Sequence, residues 1–76
     1  MPKLPVLSGH DVVKTLIEMG YSHVRTSGDH AILKKEAGSG KSVIPVPLHR
    51  ELAIGTLKRI IRQTGLATED FLKYVD

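Results

Sequence analysis

Residues 21–35 read YSHVRTSGDHAILKK, and this stretch decides the fold. Its first half is rich in β-branched and other β-forming residues, Gly28-Asp29 is a turn signal, and a second run of β-forming residues begins at His30. Two such runs joined by a two-residue turn that contains glycine are typical of a β-hairpin. We therefore predict antiparallel strands over residues 21–27 and 30–35.

A third strand is expected after the hairpin, over residues 42–47. The small residues at 37–40 make a flexible turn, and the stretch that follows is again rich in β-forming residues. Pro45 lies inside this stretch and has no N–H to donate to a neighbouring strand. The third strand therefore belongs at an edge of the sheet.

Helical spacing is present on both sides of these strands. Ser8 can cap a first helix, with Asp11 at the position of a capping-box acid and Gly20 at the end. The apolar residues expected on the buried face of this helix are Val12, Val13, Leu16 and Ile17. A second amphipathic helix is predicted over residues 51–64, closed by Gly65. Its expected core residues are Ala53, Ile54, Leu57, Ile60 and Ile61.

Thr68 can cap a last short helix, in which Phe71, Leu72 and Val75 could fold back onto the core. The predicted order is therefore α-β-β-β-α with a short C-terminal helix, an α+β fold built on a three-stranded antiparallel sheet. Two helices would cover one face of this sheet and leave the other face open to a ligand. The register of the second strand decides what the open face carries: if Ala31 and Leu33 are buried, His30 lies on it.

Length and composition narrow the class of protein. Seventy-six residues, 41% of them hydrophobic, suit one domain spanning residues 1–76. The absence of cysteine excludes disulfides, thiol catalysis and cysteine-based zinc sites, and it fits a reducing cytoplasm. No stretch approaches the roughly 20 apolar residues that cross a bilayer, so we expect neither export nor membrane insertion.

The formal net charge is +3, and it is unevenly distributed. Residues 1–67 hold ten basic and five acidic side chains, a net charge of +5, whereas acidic residues dominate the end of the sequence. An excess of this kind favours a polyanion such as RNA or DNA as the ligand. A charged surface that merely keeps the protein soluble is the commoner explanation, so charge alone does not decide between the two.

Four histidines could carry chemistry, namely His10, His23, His30 and His49. No pair has the i, i+4 arrangement of a helical zinc motif, and we predict neither a metal nor a cofactor. His30 differs from the others because it directly follows the hairpin turn, on the central strand of a basic sheet. An imidazole there can exchange protons with RNA near neutral pH, although an ordinary strand histidine is the simpler interpretation from the residues alone.

Three ordered groups of short motifs span nearly the whole sequence. They are Leu7-Ser8-Gly9 with Met19-Gly20-Tyr21, then Gly28-Asp29-His30, and finally Val46-Pro47-Leu48-His49 with Ile54-Gly55-Thr56-Leu57 and Ile60-Ile61-Arg62-Gln63-Thr64-Gly65. Together they resemble HicA, the toxin half of the HicAB toxin–antitoxin modules of bacteria and archaea. The resemblance implies a fold like a double-stranded-RNA-binding domain, mRNA cleavage that halts growth, and neutralisation by a HicB-type antitoxin.

The resemblance also assigns the active histidine of the family to His30. The family usually has a serine before it, where this chain has Asp29. We expect Asp29 to serve the turn, and to orient His30 only if a bulge or the turn itself brings the two together. His49 matches a family pattern of proline, one residue, then histidine before the second helix, where it could cap the helix, contact phosphate or be structural. Gly55 and Gly65 are expected to serve close packing and a helix end.

The mechanism that the resemblance implies is a metal-independent cleavage, in which His30 is the general acid or base for attack of the 2′-hydroxyl on the adjacent phosphate. The basic residues expected to hold the RNA backbone as a group are Arg25, Lys34, Lys35, Lys41 and Arg50. Two other functions stay open. One is a non-catalytic RNA-binding module of the same fold, and the other is a protein-interaction domain whose basic face binds an acidic partner.

Overall fold

Three helices and three strands make up the part of the chain that the computed structural model describes, residues 3–36 and 43–75. In chain order they are α1 (Gly9–Glu18), β1 (Ser22–Ser27), β2 (His30–Lys34), β3 (Val43–Pro47), α2 (Ile54–Thr64) and α3 (Thr68–Leu72). The strands form one antiparallel sheet in the order β1-β2-β3. The predicted α+β class is confirmed, and the arrangement is consistent with a double-stranded-RNA-binding-domain-like fold. None of the described helices is long and apolar enough to cross a membrane.

The hairpin between β1 and β2 forms as predicted. Ser27 pairs with His30, so Gly28 and Asp29 are the two turn residues, and Gly28 has a φ of +60°. Glycine adopts this left-handed region without the steric cost of a Cβ, as the first position of a type II′ turn requires. The expected edge position of the strand with Pro45 is confirmed as well, whereas the predicted turn at 37–40 lies outside the described residues.

The helices cover one face of the sheet, and the register of β2 follows from what they bury. Ala31 and Leu33 are fully buried, whereas His30, Ile32 and Lys34 point to the opposite face. The residues that form the core with them are Leu7, Val12, Leu16, Tyr21, Ile44, Val46, Leu52, Leu57, Ile60, Ile61 and Phe71. Burying one large aliphatic side chain contributes about 1.5–3 kcal/mol, so a one-residue slip that exchanged the two faces is strongly disfavoured.

The predicted capping box starts α1. The Ser8 hydroxyl accepts a hydrogen bond from the backbone N–H of Asp11, and the Asp11 carboxylate accepts one from the backbone N–H of Ser8, each at 3.0 Å. The buried face of α1 differs in one position from the expectation. Ile17 is 47% exposed, and Thr15 is buried instead, because residues three and four positions after Val12 face the sheet.

The second helix begins later than predicted, at Ile54 rather than at residue 51. The segment before it is held by another part of the chain, since the backbone N–H of Leu52 donates to the carbonyl of Leu7 at 2.8 Å. Ala53 itself has an extended backbone, with φ −61° and ψ 146°, so the helix begins after it. The core positions predicted for Ala53 and Ile54 are therefore wrong: both residues are exposed, and Leu52 is buried in their place.

The two glycines of the second helix have different outcomes. Gly65 ends α2 with a φ of +80°, as expected for a left-handed helix cap. Gly55 does not serve close packing, because a Cβ at this position would have no atom within 4 Å. That expectation was wrong, since Gly55 lies on the exposed first turn of α2.

The third helix starts one residue earlier than its predicted cap implies. Thr68 is the first residue of α3 and Ala67 holds the N-cap position, so the capping role predicted for Thr68 was wrong. Phe71 is buried as expected, and Leu72 and Val75 pack against the core.

Candidate functional site

The candidate site is the open face of the sheet, which we define as the side that carries His30, Ile32 and Lys34. Of the two registers considered from the sequence, this is the one in which His30 is accessible. The His30 side chain is 48% exposed. A substrate can therefore reach the imidazole without displacing any part of the core.

Asp29 joins His30 to a second histidine. One carboxylate oxygen of Asp29, Oδ1, lies 2.9 Å from His30 Nδ1 in an ion-pair contact, and the other, Oδ2, forms a hydrogen bond of 3.2 Å with His49 Nε2. We call these two contacts the Asp29 bridge. The turn itself therefore brings Asp29 to His30, so Asp29 serves the turn and also contacts the His30 ring.

Backbone hydrogen bonds place His49 beside the hairpin turn. The N–H of Leu48 donates to the carbonyl of Asp29 at 2.6 Å, and the N–H of Gly9 donates to the carbonyl of His49 at 2.8 Å. Gly9 comes this close because it lacks a side chain: a Cβ there would overlap the Pro47 carbonyl oxygen and lie 2.7 Å from Leu48 Cα. The position of His49 thus depends on the turn, the end of β3 and the start of α1 together.

The two histidines favour the ionised form of the Asp29 carboxylate. The hydrogen bond from His49 is the largest cause that lowers the pKa of Asp29 below its ordinary value of 3.8, and the charge of His30 lowers it further. An ionised carboxylate only accepts hydrogen bonds, which favours the tautomers with a proton on the nitrogens that face it, His30 Nδ1 and His49 Nε2. The second nitrogens of the rings, His30 Nε2 and His49 Nδ1, are then the ones that can act on a ligand.

Three of the predicted RNA-binding residues lie on or beside the open face. Arg25 pairs with a residue of β2 that shares the face of His30, and directly paired residues of an antiparallel sheet lie on the same side. Lys34 is exposed at the other end of β2 on that same face. Arg50 directly follows His49 in the exposed segment before α2. The fold thus brings Arg25 and Lys34 to one face with His30 and keeps Arg50 beside His49.

Lys35 has partners away from the open face. Its ammonium group donates to the carbonyl of Met19 at 3.3 Å and lies 5.4 Å from the centre of the Tyr21 ring. This position puts a positive charge at the C-terminal end of α1, where the helix dipole favours it. Lys41 lies outside the described residues. RNA binding by Lys35 and Lys41 stays a prediction.

The remaining two histidines have other surroundings. His10 is exposed on the first turn of α1. His23 Nε2 contacts the Thr26 hydroxyl at 2.9 Å, and its pairing with the buried Leu33 places it on the side of the sheet opposite His30. Within residues 3–36 and 43–75, no group of three or more histidine and acidic side chains is arranged to hold a metal ion.

The pairing of Asp29 with His49 was not predicted from the sequence, where the two are 20 residues apart. The sequence pattern did indicate that the two regions are close. A third strand antiparallel to β2 must end beside the turn between β1 and β2. The register pairs His30 with Pro47, which puts the residues after Pro47 beside Asp29. The missing information was the course of the chain after β3, which the contact with Gly9 fixes.

Comparisons with known proteins give one further finding about this site. The model of a protein family described as the HicA toxin of bacterial toxin-antitoxin matches residues 9–66, a range that contains Asp29, His30 and His49. No curated protein matches the chain, and neither does any solved structure.

Proposed function

Because the chain belongs to the HicA family of toxins from bacterial toxin–antitoxin modules, we propose that it is an mRNA interferase with His30 as general acid or base. Membership of the family makes the protein the toxin of such a module. The proposal adds the reaction, a metal-independent endonucleolytic cleavage of RNA. The support for this reaction comes from the chemistry of the open face.

One observation carries the proposal: Asp29 contacts Nδ1 of an accessible His30 and leaves Nε2 for a substrate. RNA contains its own nucleophile, the 2′-hydroxyl, so an enzyme needs chiefly a group that moves protons near neutral pH and cations that offset phosphate charge. A carboxylate beside an imidazole fixes its tautomer and stabilises the imidazolium that forms when it takes up a proton. In this proposal, Asp29 holds the His30 ring by its contact with Nδ1.

Arg25, Lys34 and Arg50 supply the cations in this proposal. All three are exposed, so an RNA strand that lies along the open face can reach them. An arginine can bind a phosphate through two parallel N–H donors, and a lysine binds it as a point charge. Lys41 completes the RNA-binding group in this proposal, whereas Lys35, also predicted from the sequence, is engaged by Met19 and Tyr21.

The partner of a toxin in such a module is its antitoxin. We propose that this antitoxin is a HicB-type protein. The open face carries apolar residues beside its cations, among them the half-buried Ile32 and Val43, which is 45% exposed. A partner with acidic and apolar groups would cover both kinds of residue and block RNA at the same time. We place the activity in the cytoplasm, where the proposed mRNA substrate is translated.

The products formed from a labelled mRNA decide between this function and a non-catalytic RNA-binding module. We expect the antitoxin-free protein, in the presence of EDTA, to release fragments with 2′,3′-cyclic phosphate and 5′-hydroxyl ends. His30→Ala should bind RNA without releasing fragments, and its expression should not arrest growth. RNA binding without fragments from the wild type would indicate a binding module. A lack of salt-dependent RNA binding would indicate a protein-interaction domain instead.

A further inference from the structure

We propose that His49 is the second catalytic group of the cleavage reaction and that Asp29 is the positioning residue shared by both histidines. This inference rests on the proposed ribonuclease function. Attack by the 2′-hydroxyl needs a group that accepts its proton, and departure of the 5′ oxygen needs a group that donates one. A single histidine cannot perform both tasks in one step, so a second group is required near the same phosphate.

The Asp29 bridge brings the two imidazoles together. Each ring contacts a different oxygen of one carboxylate, at 2.9 Å for His30 and at 3.2 Å for His49. Two rings that contact one carboxylate are neighbours, and the proposal places the reacting phosphodiester between them. Each ring also turns only one nitrogen towards Asp29, which leaves His30 Nε2 and His49 Nδ1 for the substrate.

The backbone around the bridge is fixed, although the rings are accessible. The bonds from Leu48 to Asp29 and from Gly9 to His49 anchor both ends of the bridge to the sheet and to α1. The side chains remain 48% exposed for His30 and 57% exposed for His49. This combination suits a site that binds a ligand from solvent without rearranging.

The contacts of Asp29 assign a role to each histidine. The proposal makes His49 the acid, because its hydrogen bond to Asp29 through Nε2 leaves Nδ1 to carry the proton for the departing oxygen. His30 contacts Asp29 through Nδ1. With its proton on that nitrogen, His30 has a lone pair on Nε2 and is the base.

The proposed step balances in protons and charge. His30 Nε2 takes the proton of the 2′-hydroxyl as the bond from O2′ to phosphorus forms. The bond from phosphorus to O5′ breaks, and His49 Nδ1 gives its proton to the departing O5′. Positive charge passes from His49 to His30, so Asp29 stands beside one imidazolium before and after the step. Water then returns the two histidines to their starting protonation states.

An RNA with sulfur in place of the departing 5′ oxygen separates the two histidines, because a thiolate leaves without a proton donor. The cleavage site is first mapped with the wild type, and the sulfur is placed at that bond. For His49→Ala we expect cleavage of ordinary RNA to fall about 10²–10⁴-fold, and cleavage of the sulfur-substituted RNA to stay near the wild-type rate. His30→Ala should be slow on both RNAs. His23→Ala, on the other side of the sheet, should match the wild type on both.

The outcomes distinguish this inference from the function on which it rests. If His49→Ala cleaves ordinary RNA at the wild-type rate, the inference is overturned. An equal fall in the cleavage rate of both RNAs would also overturn it, because it indicates a structural role for His49. In either case an inactive His30→Ala leaves the proposed function standing. A wild type that cleaves neither RNA overturns both. If His49→Ala does not fold, His49→Gln keeps a donor for Asp29 but no acidic proton, and it should give the same pattern.

Asp29→Asn tests the positioning role. We expect kcat to fall at least about tenfold with little change in KM, because the amide removes the charge that both imidazoles share. The variant should stay folded at the assay temperature, with only a small fall in its thermal unfolding temperature, since the Asp29 side chain is 63% exposed. An unchanged kcat, or a fall in kcat explained by unfolding, would overturn the role assigned to Asp29.

Discussion

The backbone nitrogen of Leu48 lies 2.6 Å from the carbonyl oxygen of Asp29, and this hydrogen bond joins the hairpin turn to the end of β3. It continues the pairing of β2 with β3, in which His30 lies opposite Pro47. His49 follows directly and reaches the Asp29 carboxylate. The pairing of β2 with β3 therefore brings both histidines to the carboxylate of Asp29.

Replacement of Gly9 by alanine should lower the free energy of unfolding by about 1–3 kcal/mol, the usual effect of forcing an extra atom into a packed contact. The new Cβ would overlap the carbonyl oxygen of Pro47, which is backbone and cannot rotate away as the end of a side chain would. Urea unfolding measures the change. We also expect slower RNA cleavage, because a shift of α1 moves His49.

Gly55→Ala is the matched control for this prediction. A Cβ at Gly55 meets no atom within 4 Å, and alanine is favoured over glycine inside a helix by about 0.5–1 kcal/mol. This variant should therefore be as stable as the wild type or more stable. Equal destabilisation by the two substitutions would show that the contact of Gly9 with Pro47 is not the cause.

The Asp29 carboxyl should titrate below its ordinary pKa of 3.8, and the two histidines should contribute unequally. His49→Ala should raise the pKa of Asp29 more than His30→Ala does, because the hydrogen bond with His49 is the larger cause. Because this pKa is lower in the folded state, ionised Asp29 stabilises the fold when the pH is above its unfolded-state pKa. The contribution is lost as the pH falls through the folded-state pKa. An NMR titration of the carboxyl carbon measures the order, and the reverse order would contradict the assigned geometry.

Acid should also weaken the start of α1. The backbone N–H of Ser8 is the main cause that lowers the pKa of Asp11, so the contribution of the capping box is present at neutral pH and is lost as the pH falls through that lowered pKa. Ser8→Ala should cost about 1 kcal/mol at neutral pH. Thermal unfolding at neutral and acidic pH should show a smaller acid effect for Asp11→Asn than for the wild type. Equal acid effects would argue against the cap as their source.

The neighbouring lysines Lys34 and Lys35 should behave differently. Lys34 is exposed on the open face, so Lys34→Ala should weaken RNA binding. The slope of log affinity against log salt concentration should fall by about 1, which corresponds to one lost phosphate contact. Lys35 is held by the carbonyl of Met19, so Lys35→Ala should reduce stability by about 0.3–1 kcal/mol and leave the salt dependence unchanged. Fluorescence titrations with RNA at several salt concentrations make the comparison. The same loss of affinity in both variants would show that Lys35 also reaches the RNA.

Sequence alone was sufficient wherever neighbouring residues determine the structure. The turn needs a positive φ at Gly28, and the capping box joins Ser8 to Asp11 within one helical turn. The alternation of β2 places His30 on the open face once Ala31 and Leu33 are buried. Each of these features leaves a short pattern that can be recognised in the sequence.

Contacts between distant segments explain what the sequence did not reveal. The second helix starts at Ile54 because Ala53 is extended, in a segment that Leu52 joins to the N-terminal segment. The second role of Asp29 depends on the bond from Leu48, and the position of His49 depends on the missing side chain of Gly9. These are backbone contacts whose partners are set only when the sheet and α1 come together, so they have no local signature.

The most direct test of the proposed chemistry compares RNA cleavage by His30→Ala with that by His23→Ala, with chelator present and antitoxin absent. Both histidines are exposed strand residues, but they lie on opposite faces of the sheet. If His30 exchanges the proton, His23→Ala should cleave at the wild-type rate and His30→Ala should be about 10²–10⁴-fold slower. Equal cleavage by the two variants would contradict a catalytic role for His30.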